Sequence, residues 1–396
     1  MLCFIPVGAF LTVKRTQSTP QQENKQNMIR NLKLRSILGE FKIEEHTIVY
    51  HKFMAQFYNF CIKQGMEPGK IVPSRAFCSD ESQGLPIILM SKHFGAFPFD
   101  HGLVGGIMAH GRHAPHAHHG KDLVILQASH VGYEPQSQRF GRYRRLQTED
   151  QHFSPNCGKI YDTLEWYLNE YEFAQENTLF HEEEGEYFIT IDKLLLDQNY
   201  EEGIFLNLEK LIKHDEKTNE IVKPQKILST SRVYPATRRL VKFLQEQECS
   251  LAHGEAQPLG KCLQPSMFEF KRDKSKFNRM LMNLHEYMPW VVTSGNPMLS
   301  GAEINVQIEF DQAYRSIVRE ESYHGKNLIY IAGLNIDYSP LTGQHFPISM
   351  FVPWAAYVQH ANGKHYILEQ DELYQALMEC PDKNEDQVNL DDMIWD

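Results

Sequence analysis

The sequence predicts an α/β fold in which a buried β-sheet is covered by helices on both faces. The first observation is the continuous apolar run Leu123-Val124-Ile125-Leu126 within 122–128, which is typical of a strand buried on both faces. The second is the helical spacing of apolar residues over 44–64 and again over 154–171, before and after that strand. In such sheets ligands gather at the carboxyl ends of the strands and at nearby helix N-termini.

The remaining elements agree with this fold class. Gly65 and Pro68 are expected to end the first helix, and 70–77 reads as a short strand that leads to Cys78. Ser154, followed by Pro155 and Asn156, predicts the start of the next helix, with Cys157 in its first turn. Two later helices and two later strands are predicted at 235–247, 275–287, 327–336 and 346–352.

The 396 residues divide into a tail, one domain with an insertion, and a second tail. We expect 1–30 to be a flexible tail and 31–380 to form a single α/β domain, interrupted by a helical insertion at about 170–325. The segment 381–396 carries six carboxylates and one lysine, so we expect an acidic, frayed end. In the first tail the apolar stretch precedes Lys14 and Arg15, the reverse of a secretory signal. An organelle transit segment, or a true start at Met28, stays open.

Composition indicates an ordinary soluble globular protein. The net charge of −11 argues against a general nucleic-acid binder, because neutralising phosphates requires a basic face. No apolar stretch approaches the roughly 18 residues of a membrane span. An odd number of widely spaced cysteines, seven in all, favours a reducing compartment such as the cytoplasm, with free or metal-bound thiols. Five of them have no partner motif and are interpreted as structural: Cys3, Cys61, Cys249, Cys262 and Cys380.

Cys78, His130 and Cys157 all fall where ligands gather in such a sheet, although they are 52 and 27 residues apart in sequence. Two thiolates and one imidazole match a catalytic zinc site, which uses three protein ligands and keeps a fourth position open. Zinc lowers the pKa of a bound water from about 15.7 to about 7, and the hydroxide formed can attack a small electrophile such as carbon dioxide. Spacing alone also allows small buried cysteines with no metal.

Several short motifs are similar to a known family. The Cys-x-Asp at Cys78 and Asp80 resembles the first half of the β-carbonic anhydrase zinc motif. The following stretches resemble the limiting-CO2-inducible protein B/C family, also called θ-class carbonic anhydrases, and occur in the family's order: 101–107 (HGLVGGI), 118–119 (HH), 129–132 (SHVG) and 156–158 (NCG). The segments 331–336 (IAGLNI) and 346–348 (FPI) are similar to that family's closing strand pair. The likeness covers 70–160 well and 325–352 loosely.

The resemblance implies a β-carbonic-anhydrase-like fold and a Zn²⁺ held by Cys78, His130 and Cys157. It also implies that Asp80 either orients the reacting hydroxide or occupies the open position. In the β-class pattern an arginine stands two residues after this aspartate and pairs with it, but here the position is Ser82. One other arginine could replace it in space, chosen from Arg75, Arg139, Arg142, Arg144 and Arg145.

The histidine-rich stretch His110–His119 allows two interpretations. One is a solvated loop. The other is a proton relay, because histidine titrates near pH 6.5 and hydration of carbon dioxide releases a proton in each turnover. Within the stretch, His119 is the candidate for a catalytic role.

Three functions follow from these residues. The resemblance implies reversible hydration of carbon dioxide to bicarbonate, carried out by a homodimer. The first alternative, favoured by Ser82, is a zinc-binding but catalytically silent structural or binding protein in inorganic-carbon handling. The second is a cysteine-nucleophile enzyme that uses Cys78 with His130, although it leaves Cys157 unexplained.

Overall fold

The structure is a computed structural model, and it describes residues 41–109, 122–144, 153–196, 201–247, 255–340 and 348–393. The described residues form these α-helices: α1 Ile43–His46, α2 Tyr50–Lys63, α3 Gly84–Phe94, α4 Gly158–Asn177, α5 Leu208–Leu211, α6 Arg238–Glu246, α7 Arg279–Leu284, α8 Met288–Val292, α9 Pro297–Arg319 and α10 Gln370–Met378.

The strands of the first half are β1 Ile48–Val49, β2 Ile71–Ala76, β3 Phe99–Asp100, β4 Gly102–Leu103, β5 Ile107–Met108, β6 Asp122–Glu134, β7 Arg139–Phe140, β8 Tyr143–Arg144 and β9 Phe153–Ser154. Those of the second half are β10 Thr178–Glu183, β11 Glu186–Asp192, β12 Gly203–Leu206, β13 Lys226–Ile227, β14 Ser231–Pro235, β15 Gln257–Pro258, β16 Phe268–Lys271, β17 Leu328–Tyr338, β18 Ile348–Gln359 and β19 His365–Leu368.

One mixed sheet organises the molecule. Its strand order is β1-β18-β17-β6-β2-β3, with β19 beside β18 and β7 beside β6. The strands β17, β6, β2 and β3 are parallel to one another, whereas β18 runs antiparallel to β17. The apolar run 123–126 in β6 is fully buried, as its composition predicts for a strand covered on both faces. The predicted α/β class is therefore confirmed.

Each face of this sheet carries helices. On one face, α2 places Phe53 and Phe57 four residues apart, so both point the same way, and the ring of Phe53 stacks on Phe351 of β18 at 3.9 Å between centroids. On the other face, α9 packs against β6 and β17, and its Phe310 stacks on Tyr330 at 5.3 Å. Helix α2 thus buries the apolar stripe that its sequence predicts, whereas α9 is not among the predicted helices.

The predicted insertion is helical only in part. The segment 279–319 carries α7, α8 and α9, but the stretch before it contains a five-stranded antiparallel sheet of order β13-β14-β11-β10-β15 and the separate pair β12-β16. These strands are short and rich in β-branched and aromatic residues, as in 188–191 (FITI), a composition that favours strand over helix.

The first residues of the acidic segment, 381–384, make specific contacts with the helices beside them. Asn59 of α2 donates to the carbonyls of Pro381 and Lys383 at 2.9 and 2.8 Å. Asn384 is buried and bonds to His93 of α3 at 3.1 Å. The amide side chains of Asn59 and Asn384 and the backbone carbonyls that they bind hold 381–384 in place, and a count of charges could not reveal these contacts.

Two further observations concern the cysteines and membranes. Cys262 lies in a disulfide bond, which departs from the expected free thiols, whereas Cys61, Cys78, Cys157 and Cys380 are free. Within the described ranges, no helix has both the length and the apolar character needed to cross a bilayer. The tail 1–30 and the candidate His119 lie outside the described residues.

Candidate metal centre

Three different elements bring Cys78, His130 and Cys157 together at the carboxyl end of the parallel strands. Cys78 follows β2 by two residues, and Cys157 is the residue immediately before α4 rather than inside its first turn. His130 lies within β6, because this strand continues to Glu134 instead of ending near residue 128. The apolar run marks only the part of β6 that lacks polar residues, so its end could not mark the end of the strand.

The three side chains form a compact, buried group. One ligand atom from each lies within 4.8 Å of the others, and the two sulfur atoms are 3.8 Å apart. Cys78 is 3% exposed and Cys157 is 1% exposed, while His130 is inaccessible to solvent. The spacing is close enough for all three to bind one ion.

A fully buried carboxylate, Asp337 at the end of β17, orients the imidazole. The Nδ1–H of His130 donates to Asp337 Oδ2 at 2.8 Å. The same oxygen accepts from Ser82 Oγ at 2.8 Å and from Asn156 Nδ2 at 2.9 Å. Gln83 Nε2 donates to it at 3.0 Å. A histidine that binds a metal through one ring nitrogen usually donates the other N–H to a carboxylate in this way.

Sequence reasoning missed Asp337, and a signal for it was present. Asn335 and Asp337 interrupt the end of an apolar strand, and a buried polar residue is more informative than an exposed apolar one. The parallel pairing of β17 with β6 sets Asn335 opposite His130 and Asp337 opposite Gly132. If the register of these two strands had been known, it would have placed the Asp337 carboxylate beside His130.

The remaining ring nitrogen tests whether a metal fits. Nε2 of His130 is buried and has no hydrogen-bond partner among the described residues. A buried nitrogen without a partner costs free energy, so this atom is expected to have a ligand in the functional state. Two cysteine sulfurs and an imidazole nitrogen are the donors that Zn²⁺ prefers, and the group therefore fits a metal ion of this type.

The acid–base properties of the group follow from its close packing. The Cys157 thiol donates a hydrogen bond to Cys78 and, with His130, lowers the pKa of Cys78 to about 4, although burial opposes the change. The same shared proton, together with burial, raises the pKa of Cys157. Burial alone would lower the pKa of His130, but Asp337 and the two sulfur atoms outweigh it and raise that pKa.

Asp80 follows Cys78 by two residues and interacts with the charge of His130. Its Oδ1 accepts the backbone N–H of Ser82 at 3.1 Å. Burial raises the pKa of Asp80, but the positive charge of His130 and the hydrogen bonds from Ser82 lower it more, so the net pKa falls below its usual value. Asp80 is therefore an ionised carboxylate close enough to His130 to interact with its charge.

Three of the arginines considered as partners for Asp80 contact other groups. Arg75 pairs with Asp100 at 2.7 Å, and Arg144 donates to the carbonyl of Pro340 at 2.7 Å. The guanidinium of Arg142 lies over the ring of Phe153 at 4.4 Å. The basic run is thus distributed over several local contacts.

Several solved structures are similar to this chain, and two of them are described here. PtLCIB4, a homologue of the limiting CO2-inducible protein LCIB, shows a TM-score of 0.48 and 10% sequence identity, covering 82% of this chain and 95% of that one. LCIB itself shows a TM-score of 0.36 and 13% identity, covering 82% of this chain and 95% of its own. By name, both belong to the family that the sequence motifs resemble. No protein-family model and no curated protein sequence matches the chain.

Proposed function

We propose that this protein binds Zn²⁺ through Cys78, His130 and Cys157 and catalyses the reversible hydration of carbon dioxide. The observation that carries the proposal is the buried convergence of the three donors, with Nε2 of His130 left without a partner. A zinc ion with three protein ligands acts as a Lewis acid and makes hydroxide accessible near neutral pH.

The chain's own residues would divide the remaining work. Asp337 fixes the ring orientation and tautomer of His130, because a carboxylate can only accept a hydrogen bond and therefore requires the proton on Nδ1. Asp80, ionised and held by the Ser82 amide, would accept a hydrogen bond from the reacting water and orient it. His119 would carry the released proton towards buffer, as the histidine-rich stretch suggests.

The proposal is tested by measuring zinc content and carbon dioxide hydration on the same preparation. We expect about one zinc per chain, hydration activity between pH 6.5 and 9, and loss of that activity in Asp80→Asn with zinc retained. His119→Ala should slow turnover in weak buffer and recover with added imidazole. Fully zinc-loaded wild type without activity over this range would contradict the enzymatic proposal.

A silent zinc protein is the second candidate, and one observation favours it. Ser82 occupies the position where an arginine would hold Asp80 away from the metal, and Arg75 is engaged with Asp100 instead. An Asp80 that closes on the metal would complete four protein ligands, the arrangement of a structural zinc site. Zinc-loaded wild type without hydration activity, together with weaker zinc binding in Asp80→Asn, would establish this alternative.

We also propose that the protein is a homodimer. Large apolar side chains near the candidate site are between 50 and 70% exposed, which favours a covered surface: Ile88, Phe97, Phe99, Leu103 and Val104. Sedimentation should give twice the chain mass for the wild type and a shift towards monomer for Phe97→Asp. A monomeric wild type at micromolar concentration would contradict this proposal.

A further inference from the structure

The glycine-containing segment 101–109 closes over one side of the candidate metal centre. Its Gly105 donates a backbone N–H to Cys78 Sγ at 3.1 Å. Gly105 has φ +88°, and a Cβ there would lie 2.4 Å from the Cε of Met280 in α7. The amide therefore reaches the sulfur through a backbone conformation that favours glycine.

Helices α7 and α9 hold the end of this segment. Oε2 of Glu309 in α9 accepts the Met108 N–H at 2.9 Å, and Arg279 Nη1 in α7 donates to the Met108 carbonyl at 2.7 Å. Both backbone groups of one residue are thus bound by two side chains. Those side chains pair with each other, Arg279 Nη2 lying 3.1 Å from Glu309 Oε2.

A buried amide extends the network to Gly105 itself. Asn305, one turn before Glu309 in α9, donates to the Gly105 carbonyl at 3.3 Å and to Ser129 Oγ at 2.8 Å. Asn283 of α7 joins Asn305 to Glu309, donating to their side-chain oxygens at 2.9 and 2.8 Å. Helix α9 therefore contacts both the segment beside Cys78 and Ser129, which is the residue before His130.

Glu309 is the costly member of this network. Its side chain is fully buried, and burial raises its pKa, although Arg279 and the N–H donors of Met108 and Asn283 favour the ionised form. A buried carboxylate is retained only where its contacts are satisfied. Its position suggests a role in holding the segment 101–109 rather than in packing α9.

We infer that Glu309 and Asn305 are positioning residues that hold the Gly105 amide against the Cys78 sulfur and thereby tune the metal site. A hydrogen bond to a thiolate withdraws electron density that the sulfur would otherwise give to the metal, and such contacts commonly set the properties of metal–sulfur sites. This inference rests on the proposed metal centre and adds a function for α7 and α9, which belong to the insertion.

The test compares Glu309→Gln with Asp311→Asn. Both changes convert a carboxylate to an amide on α9, but Asp311 is exposed and pairs with Arg315 at 2.8 Å, away from the segment. Hydrogen exchange of 102–108 in the metal-free protein should be about tenfold faster in Glu309→Gln and unchanged in Asp311→Asn. In the Co²⁺-loaded protein, the sulfur-to-metal charge-transfer band should move to lower energy only in Glu309→Gln.

Each outcome decides a separate point. Unchanged exchange in Glu309→Gln would overturn the inference, and so would faster exchange with an unmoved charge-transfer band. If Glu309→Gln does not fold, Arg279→Lys replaces it: this variant keeps the positive charge, loses the planar guanidinium contact with the Met108 carbonyl, and is judged by the same two measurements.

Wild type that takes up no Co²⁺ would overturn the metal centre, while hydrogen exchange would still show whether Glu309 holds 102–108. Zinc-loaded wild type without hydration activity would overturn only the catalytic proposal.

Discussion

Replacing Asp337 tests whether the imidazole of His130 is oriented for a metal. Among the described residues, Oδ2 of Asp337 accepts from four side chains at 2.8 to 3.0 Å, whereas its Oδ1 accepts from Gln83 alone, at 3.2 Å. In Asp337→Asn the amide oxygen can take the place of Oδ2 and keep most of these contacts, so the main loss is the negative charge. In Asp337→Ala all four donors lose their acceptor.

The expected loss of zinc affinity follows from this difference. Removing the partner of a metal-binding histidine typically weakens metal binding by about 10- to 100-fold, or roughly 1.4 to 2.7 kcal/mol. We place Asp337→Asn near the lower end and Asp337→Ala at or above the upper end. Alanine should also destabilise the metal-free fold by about 3 kcal/mol or more, because several buried donors are left without partners.

Competition of Zn²⁺ with a chelator, together with urea unfolding of the metal-free protein, separates the two effects. Asp371→Asn is the control, since this carboxylate is exposed and pairs with Lys42 at 2.6 Å at the surface. It should leave the zinc affinity unchanged. Wild-type affinity in Asp337→Ala would refute the assignment of His130 as a ligand oriented by Asp337.

Three further predictions concern the ligands, one glycine and one histidine. Cys78→Ser and Cys157→Ser should each reduce bound zinc from about one per chain to well below that, by metal analysis under reducing conditions; full retention in either would exclude that residue as a ligand. Gly106→Ala should lower the free energy of unfolding in urea by about 3 kcal/mol or more, because φ is +75° and the new Cβ would lie 2.2 Å from a backbone oxygen of β6. Gly84→Ala is the control: a Cβ there would have no atom within 4 Å, so the change should be neutral or slightly stabilising. Burial lowers the pKa of His93 from 6.5 to about 4, so the unfolded chain binds its proton first and stability should fall as pH drops from 6.5 to 4. His93→Gln should show a shallower fall in urea unfolding over that range, and an equal slope would contradict this cause.

Patterns with a clear physical period predicted much of the main sheet and its helices. The apolar run of β6 and the phenylalanines of α2 located elements that bury one or both faces. The same reasoning placed Cys78 at the end of β2, where a turn must follow. Boundaries were less accurate, since β6 continues past its apolar core through His130 and Gly132.

The partners of the ligands could not be predicted, because they depend on which strands pair and in which register. Asp337 is 207 residues from His130, and only the parallel pairing of β17 with β6 brings them together. Glu309 reaches Met108 across 201 residues through the packing of α9. No periodic pattern in the sequence links residues so far apart, so these contacts become visible only in the folded chain.

Ser82 joins the two carboxylates on which the proposed chemistry depends. Its hydroxyl donates to Asp337 at 2.8 Å and its backbone N–H donates to Asp80 at 3.1 Å. The residue is 3% exposed, so an arginine there would bury a guanidinium group and remove one of the donors to Asp337. Ser82 therefore helps to orient His130 through Asp337. An arginine at this position would change the contacts of both Asp80 and Asp337. The zinc affinity of Asp337→Asn and the hydration activity of Asp80→Asn accordingly report on two ends of one connected group of side chains.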